Sequence, residues 1–142
     1  MLERYYNLFD PAKHYSQLLF RAGDGLQSRE LNEIQSTLMH RLQGVADALL
    51  KDGDIVSGAN LQIDADTGLV TLEPGRVYLR GAVREVPAAT FTVPVDGRVA
   101  VGVRFSTRTV TELEDPTLRE PAVGVRNYQE PGAGRLQETL AW

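Results

Sequence analysis

Between Ser28 and Lys51 the apolar residues recur at a helical period, and from Asp54 onward they recur every second residue. That single change of period confines the chain to an α+β fold: one long helix, then short antiparallel strands. The helical stripe is Leu31, Ile34, Leu38, Leu42, Val45 and Leu49. At about 100° per residue these positions span an arc of roughly 80°. Met39, Ala46 and Leu50 widen it to roughly 160° by the same arithmetic. The period is near 3.6, whereas a left-handed coiled coil holds about 3.5, so a long coiled coil is not expected. Ser28 is the expected N-cap, Glu30 and Lys51 suit the first and last turns, and Gly53 is the expected C′ residue. Gly44 costs the helix up to about 1 kcal/mol relative to Ala. So wide an arc predicts two contacts, the chain's own sheet on one flank and another helix on the other. Only one helix is legible here, so a second copy is expected to supply its mate.

Before the helix lies an arm, residues 1–27. It is dense in aromatics, with Tyr5, Tyr6 and Phe9 ahead of Asp10-Pro11, then Tyr15, Leu18 and Leu19. Such density predicts docking, either on the chain's own domain or on a neighbouring subunit. After the helix unit, 28–53, residues 54–142 read as an antiparallel β domain: a meander, a small sandwich or a barrel. Asn60–Asp64 and Leu69–Glu73 flank Ala65-Asp66-Thr67-Gly68, a hairpin turn with Gly in the left-handed position. Arg98 to Phe105 alternates strictly, Val99, Val101, Val103 and Phe105 to one face, and predicts a strand continuing into or pairing with Arg108–Leu113. Residues 114–135 interrupt with Pro116, Pro121, Pro131, Gly124, Gly132 and Gly134. Arg135–Trp142 then begins a strand, which gives the chain the look of a truncated, longer protein.

Composition excludes several functions. With a net charge of −4, the 142-residue chain lacks the basic excess of a nucleic-acid or membrane-surface binder. It has no cysteine, hence no disulfide, thiolate nucleophile or cysteine metal site. No apolar run approaches the roughly 20 residues that span a bilayer, and the N-terminus lacks the order of a secretion signal. Synthesis in the cytoplasm is the expectation.

The motifs that hint at chemistry have structural readings. Gly23-Asp-Gly25-Leu-Gln-Ser28 approximates a dinucleotide fingerprint, but Ser28 replaces the third glycine and no βαβ unit follows. The glycines instead allow a sharp turn into the helix. Asp64-Ala-Asp66-Thr-Gly68 mimics the start of a calcium loop but has Gly75 where the bidentate Glu belongs. His14 and His40 have no metal-ligand spacing. No serine carries a nucleophile signature, and Glu112, Glu114 and Asp115 read as a solvated loop. Arg76, Arg80 and Arg84, four apart in strand-like sequence, read as charges on an outward face or sheet edge. No enzyme, cofactor or metal is expected.

Several stretches share a further pattern. Tyr6, Phe9, Asp10 and Pro11 match Y-[DN]-x-F-D-P. Phe20, Arg21, Gly23, Leu26, Gln27, Arg29 to Glu33 and Gln35 match F-R-x-G-x-x-L-Q-x-R-E-L-N-E-x-Q. "LLKDGDIVSGANLQID", "PGRVYLRGAVREVP" and "DPTLREPAVGVRNYQEPGAGRL" continue the match. Over nearly its whole length the chain resembles the N-terminal region of a family of tailed-phage tail-fibre and baseplate proteins, whose domain there has no assigned function. The resemblance implies a virion structural part, located in the phage tail, with no catalytic residues to carry over. The expected function is an N-terminal attachment and oligomerisation module of a tail fibre, spike or baseplate component. Its partners would be itself, as a homotrimer, and other tail proteins, with neither nucleic acid nor membrane insertion. Its expected interface is Tyr5, Tyr6 and Phe9 of the arm with the helix stripe. The alternative is a small carbohydrate-binding β domain for host-surface recognition, with Tyr78, Phe91, Tyr128 and Trp142 as its available aromatics.

Overall fold

The protein's structure, a computed structural model, describes residues 5–142. The first four residues of the expected arm lie outside the described residues. The fold is α+β, with one helix, α1 (Ser28–Asp47), followed by strands β1 (Ile55–Gly58), β2 (Leu61–Ile63), β3 (Leu69–Leu72), β4 (Gly75–Leu79), β5 (Ala82–Val86), β6 (Ala89–Thr92), β7 (Arg104–Val110) and β8 (Arg135–Ala141). They form small sheets of order β1-β4-β5, β2-β3-β6 and β7-β8, and no barrel closes among the described residues. Two compact units result. One joins the residues up to Gly58 to Arg76–Arg84, and the other joins Ala59–Gly75 to Glu85–Trp142.

In the first unit, α1 starts and stops differently from the sequence expectation. Gln27, not Ser28, is the N-cap, because the Glu30 carboxylate reaches back to the Gln27 N–H (2.8 Å) and makes Ser28 the first helical residue. The helix ends at Asp47, not Lys51. Leu49 and Leu50 both donate to the Ala46 carbonyl (2.9 and 2.8 Å), which closes the last turn early. Gly53 is left-handed (φ 98°) but serves the connecting turn instead of a helix C′ position, and its N–H goes to the Tyr78 carbonyl (2.8 Å). Tyr78 in turn donates its own N–H to Asp54 (2.8 Å), so the segment after the helix is drawn into the ladder of β4. Strands β4 and β5 are joined by Arg80-Gly81, both at positive φ (49° and 80°), the signature of a two-residue type I′ hairpin loop. Arg80 therefore occupies a turn, which removes it from the outward strand face expected for Arg76, Arg80 and Arg84.

The second unit keeps the expected hairpin. Leu61 pairs with Leu72 and Ile63 with Val70, and β3 pairs on its other side with β6, Val70 opposite Phe91. Val70 and Leu72 are buried while Leu69 and Thr71 are exposed, the alternation of a sheet with one covered face. The turn between β2 and β3 is built from Asp64, whose carboxylate accepts the N–H groups of Asp66 (2.9 Å) and Thr67 (3.3 Å). Gly68 follows at φ 69°, and a Cβ there would overlap the Val93 carbonyl oxygen.

Strands β7 and β8 pair along their whole length, from Arg104 opposite Ala141 to Val110 opposite Arg135. The strand expected from Arg98 begins only at Arg104, and residues 98–103 are irregular. The alternation there is real, since Val101 and Val103 are half-covered and Gly102 and Arg104 exposed. A strand also needs a ladder, and the register places the last residue of β8 opposite Arg104, so nothing described pairs with 98–103. Between β7 and β8 the Pro/Gly-rich excursion folds on itself. Glu120 uses both of its main-chain groups across it, its N–H donating to the Glu130 carbonyl (3.0 Å) and its carbonyl accepting from the Gln129 N–H (3.0 Å). Gly132 donates to the Leu118 carbonyl (2.9 Å), so close that a Cβ on Gly132 would sit 2.5 Å from that oxygen. Asp115 caps the turn Pro116–Leu118 through the Thr117 N–H (3.0 Å).

Candidate assembly surface

Helix α1 has two faces of opposite chemistry. Arg29, Glu33, Ser36 and His40 fall on one, about 180° from the centre of the apolar stripe at 100° per residue. The arm lies on this polar face. Asn7 Nδ2 donates to Ser36 Oγ (2.7 Å), and Asn32 Nδ2 donates to the Tyr6 carbonyl (2.9 Å). Leu8 N–H reaches the Glu33 carboxylate (3.3 Å), which also pairs with Arg29 one turn earlier (2.8 Å). The Phe9 ring tilts against the His40 ring, centroids 5.5 Å apart. Tyr5 and Phe9 are half-buried and Tyr6 is exposed. Thus Tyr6 to Phe9 dock on the helix of their own chain.

The opposite face has no cover. Exposure runs from 49% at Leu31 to 79% at Leu49, with Leu38, Met39, Leu42 and Val45 between, while Ile34 at one edge of the arc and Ala46 and Leu50 at the other are half-buried. No residue of α1 is buried. The centre of the stripe is bare, and its Ala46–Leu50 edge, on the side of Gln43 and Asp47, is half-covered. Within this unit α1 meets the β4–β5 hairpin near its C-terminal end, and it does so with polar groups. The Gln43 side chain lies over Gly81, and the Tyr78 hydroxyl donates to the Asp47 carboxylate (2.5 Å). That acceptor, aided by burial and by the charges of Asp47 and Asp52, pushes the Tyr78 hydroxyl up to about 12. Arg84 is half-buried, with Nε on the Leu79 carbonyl (3.0 Å), and burial together with nearby Arg80 lowers its pKa.

From Tyr15 to Leu26 the chain forms a strap that returns to the start of α1. Arg41 Nη2 holds the Ser16 carbonyl (2.6 Å), and Asp24 N–H donates to the Arg21 carbonyl (3.2 Å) in a turn that puts Gly23 at φ 93°. Of the two glycines in the fingerprint-like stretch, Gly23 alone uses left-handed backbone. Tyr15, Leu19, Phe20 and Leu26 along this strap are all exposed.

The other candidates have local roles. Asp64 of the calcium-like stretch spends its carboxylate on its own turn, and accepting from the Thr67 side chain first, then from the Asp66 and Thr67 N–H groups, lowers its pKa. Glu114 and Asp115 are likewise held low by accepting from Thr111 and Thr117. Among the described residues no group of three or more His, Asp or Glu could hold a metal ion. No described helix is long and apolar enough to cross a membrane. Of the four aromatics considered for sugar binding, Tyr78 is fully buried, Phe91 is half-buried in β6, and Trp142 is half-buried with Nε1 on the Pro87 carbonyl (2.8 Å). Tyr128 alone is exposed.

A family model for a domain of unknown function, DUF4815, matches residues 3–142. The chain belongs to the DUF4815 family. No curated protein and no solved structure matches it. The match to DUF4815 spans the arm, α1 and all the strands, so the uncovered stripe and the strap both lie inside the family's domain.

Proposed function

We propose that this chain is an attachment and oligomerisation module of a tailed-phage tail fibre, spike or baseplate component. It works by protein–protein contact in the virion, without catalysis or cofactor, and its first partner is its own copy, as a homotrimer. The observation that carries this reading is the bare apolar face of α1, with the arm occupying the other side. Soluble monomers rarely expose contiguous apolar surface of this extent. Covering the exposed parts of Leu31, Leu38, Met39, Leu42, Val45 and Leu49, about two thirds of each on average, is worth about 6–11 kcal/mol per copy before ordering and association costs, at about 1.5–3 kcal/mol for a fully buried side chain. The resemblance of the arm, the helix start and the segment from Asp115 to Leu136 to tail-fibre and baseplate proteins supplies the setting. Sedimentation equilibrium of the purified chain tests the reading. The expected result is a mass three times that of the monomer, and a monomer at high concentration rejects it.

A further inference from the structure

Three aspartates precede a glycine, at Asp24-Gly25, Asp52-Gly53 and Asp96-Gly97, and no asparagine does. An Asp-Gly pair can react with itself. The glycine has no side chain to keep its amide nitrogen away from the aspartate Cγ, so ring closure depends on whether the backbone is free to bring the two atoms together. All six residues are exposed, so access to solvent does not separate the three pairs. Hydrogen bonding does.

At Asp52-Gly53 both reacting groups are engaged. The Asp52 carboxylate accepts the Arg80 N–H (2.7 Å), and Gly53, whose nitrogen would be the nucleophile, donates its N–H to the Tyr78 carbonyl (2.8 Å). Both partners belong to the β4–β5 hairpin, so the pair is released only by local opening there. At Asp24-Gly25 the chain is partly held: Asp24 donates its N–H to the Arg21 carbonyl (3.2 Å), and Gln27 soon after is fixed at the helix cap. At Asp96-Gly97 no hydrogen bond holds the chain. The last bond before it is Val93 N–H on the Gly68 carbonyl (2.9 Å), and among the described residues no group of residues 94–102 donates or accepts one. Gly97 stands at φ 91°, with open space where a Cβ would be.

We propose that Asp96-Gly97 is a self-modification site, at which the folded protein converts an aspartate to isoaspartate. The Gly97 amide nitrogen attacks Asp96 Cγ. The N–Cγ bond forms, the Cγ–OH bond breaks, and the amide proton leaves with that hydroxyl as water. The product is a cyclic succinimide. Water then adds to one of its two carbonyl carbons and breaks that carbon's bond to nitrogen. Addition at Cγ restores aspartate. Addition at the main-chain carbonyl leaves the chain running through Cγ, with one more methylene in the backbone and a free α-carboxylate. The sequence of steps needs no oxidant or reductant, and water lost in the first is regained in the second. Because no ladder runs through residues 94–102, the inserted methylene breaks no described hydrogen bond, and the β2-β3-β6 and β7-β8 pairings on either side persist.

Prolonged incubation of the full chain in neutral buffer, with and without denaturing urea, tests this. Trypsin places the three pairs on separate peptides, residues 22–29, 52–76 and 85–98. An isoaspartyl peptide elutes apart from its aspartyl parent at unchanged mass, and fragmentation locates the residue. In the folded chain isoaspartate is expected first at Asp96, more slowly at Asp24, and about tenfold or more below Asp96 at Asp52, where two hydrogen bonds must open. In urea, Asp52 is expected to approach Asp96. Equal conversion at Asp52 and Asp96 in the folded chain overturns the proposal, and so does faster conversion at Asp24. A preference for Asp96 over Asp52 that persists unchanged in urea also overturns it, because local sequence and not the fold would then set the order. Asp96→Glu lengthens the ring that must close and is expected to abolish the signal from residues 85–98. A signal that remains there rejects the assignment to Asp96.

Discussion

Replacing Leu42 with Glu separates the two jobs a helix can do. Leu42 is 69% exposed in a single copy, so within that copy the change swaps one solvated side chain for another. Surface substitutions of this kind usually move stability by no more than about 0.5 kcal/mol. In an assembly that covers the stripe the arithmetic differs. Leu42 would bury about two thirds of its surface, worth about 1–2 kcal/mol, and that contribution disappears in every copy. The carboxylate that replaces it must lose water without a cation to meet, which costs several kcal/mol more per site. Three equivalent sites multiply the penalty, so association falls by several powers of ten at about 1.4 kcal/mol per factor of ten. Sedimentation equilibrium reads the association, and far-UV circular dichroism of the resulting monomer reads the fold. The expected outcome is a monomer with unchanged helix content. If Leu42→Glu unfolds the chain while the residual folded fraction stays assembled, Leu42 is serving its own core and the reasoning is refuted.

Other outcomes follow from the same geometry. Gly68→Ala should lose about 1–3 kcal/mol in urea unfolding from its left-handed backbone alone, with the clash against Val93 added; Gly97→Ala, also at positive φ (91°) but in open space, should lose clearly less. Leu72→Ala, which empties one of the few buried apolar sites, should cost about 2–5 kcal/mol by the same measurement. The Tyr78 hydroxyl titrates higher in the folded chain, near 12, than its ordinary value of 10.0, so its contribution is complete below pH 10 and is lost as pH rises through 12. Urea unfolding from pH 9 to 12 should therefore show a steeper decline for the parent than for Tyr78→Phe. A trimer that unfolds as it dissociates should melt about 3 °C higher for each tenfold rise in concentration, by scaling per-residue unfolding entropies to three chains. A melting temperature that stays constant over a hundredfold range speaks for a monomer.

Local signals were legible in the sequence, and signals set by distant partners were not. The Asp64–Gly68 turn needs only its own Asp carboxylate and one left-handed glycine, so its residues announce it. The body of α1 was equally plain, because periodicity is a property of the helix alone. Its ends were not. The N-cap moved to Gln27 because Glu30 reaches back to it, and the C-terminus came early because β4 draws in the segment after Asp47. The Arg80-Gly81 loop was missed because Arg is a poor left-handed residue. It is held from outside, by the Asp52 carboxylate on the Arg80 N–H (2.7 Å). Residues 98–103 have the pattern of a strand without its partner, and no alternation in one segment reports whether a neighbour exists. The arm's aromatics announced that it docks, and Phe9 does meet His40, but the place of docking had no signature, since single Asn–Ser and Asn–carbonyl bonds carry no period.

The way α1 distributes its contacts is the reverse of what a self-sufficient small domain does. An amphipathic helix ordinarily turns its apolar side to the core and its polar side to water. Here the chain covers the polar side with its own arm, through hydrogen bonds each worth about 0.5–1.5 kcal/mol net. The side carrying the larger transfer energies is left to solvent. Meanwhile the fully buried apolar residues among those described are Ala59, Val70, Leu72, Val77, Tyr78 and Val86, and α1 provides none of them. A chain of 142 residues is long enough to bury more than this. Under the assembly reading the two facts have one cause: the arm fixes the helix to its unit from behind with directional, low-energy bonds, and the apolar face is kept for a neighbour. That arrangement also orders assembly, because the arm must be seated before the stripe has a defined outward direction. Replacing Asn7 of the arm, which donates to Ser36, and Asn32 of the helix, which donates to the Tyr6 carbonyl, with Ala would then impair association, read by sedimentation equilibrium, without touching a single residue of the stripe.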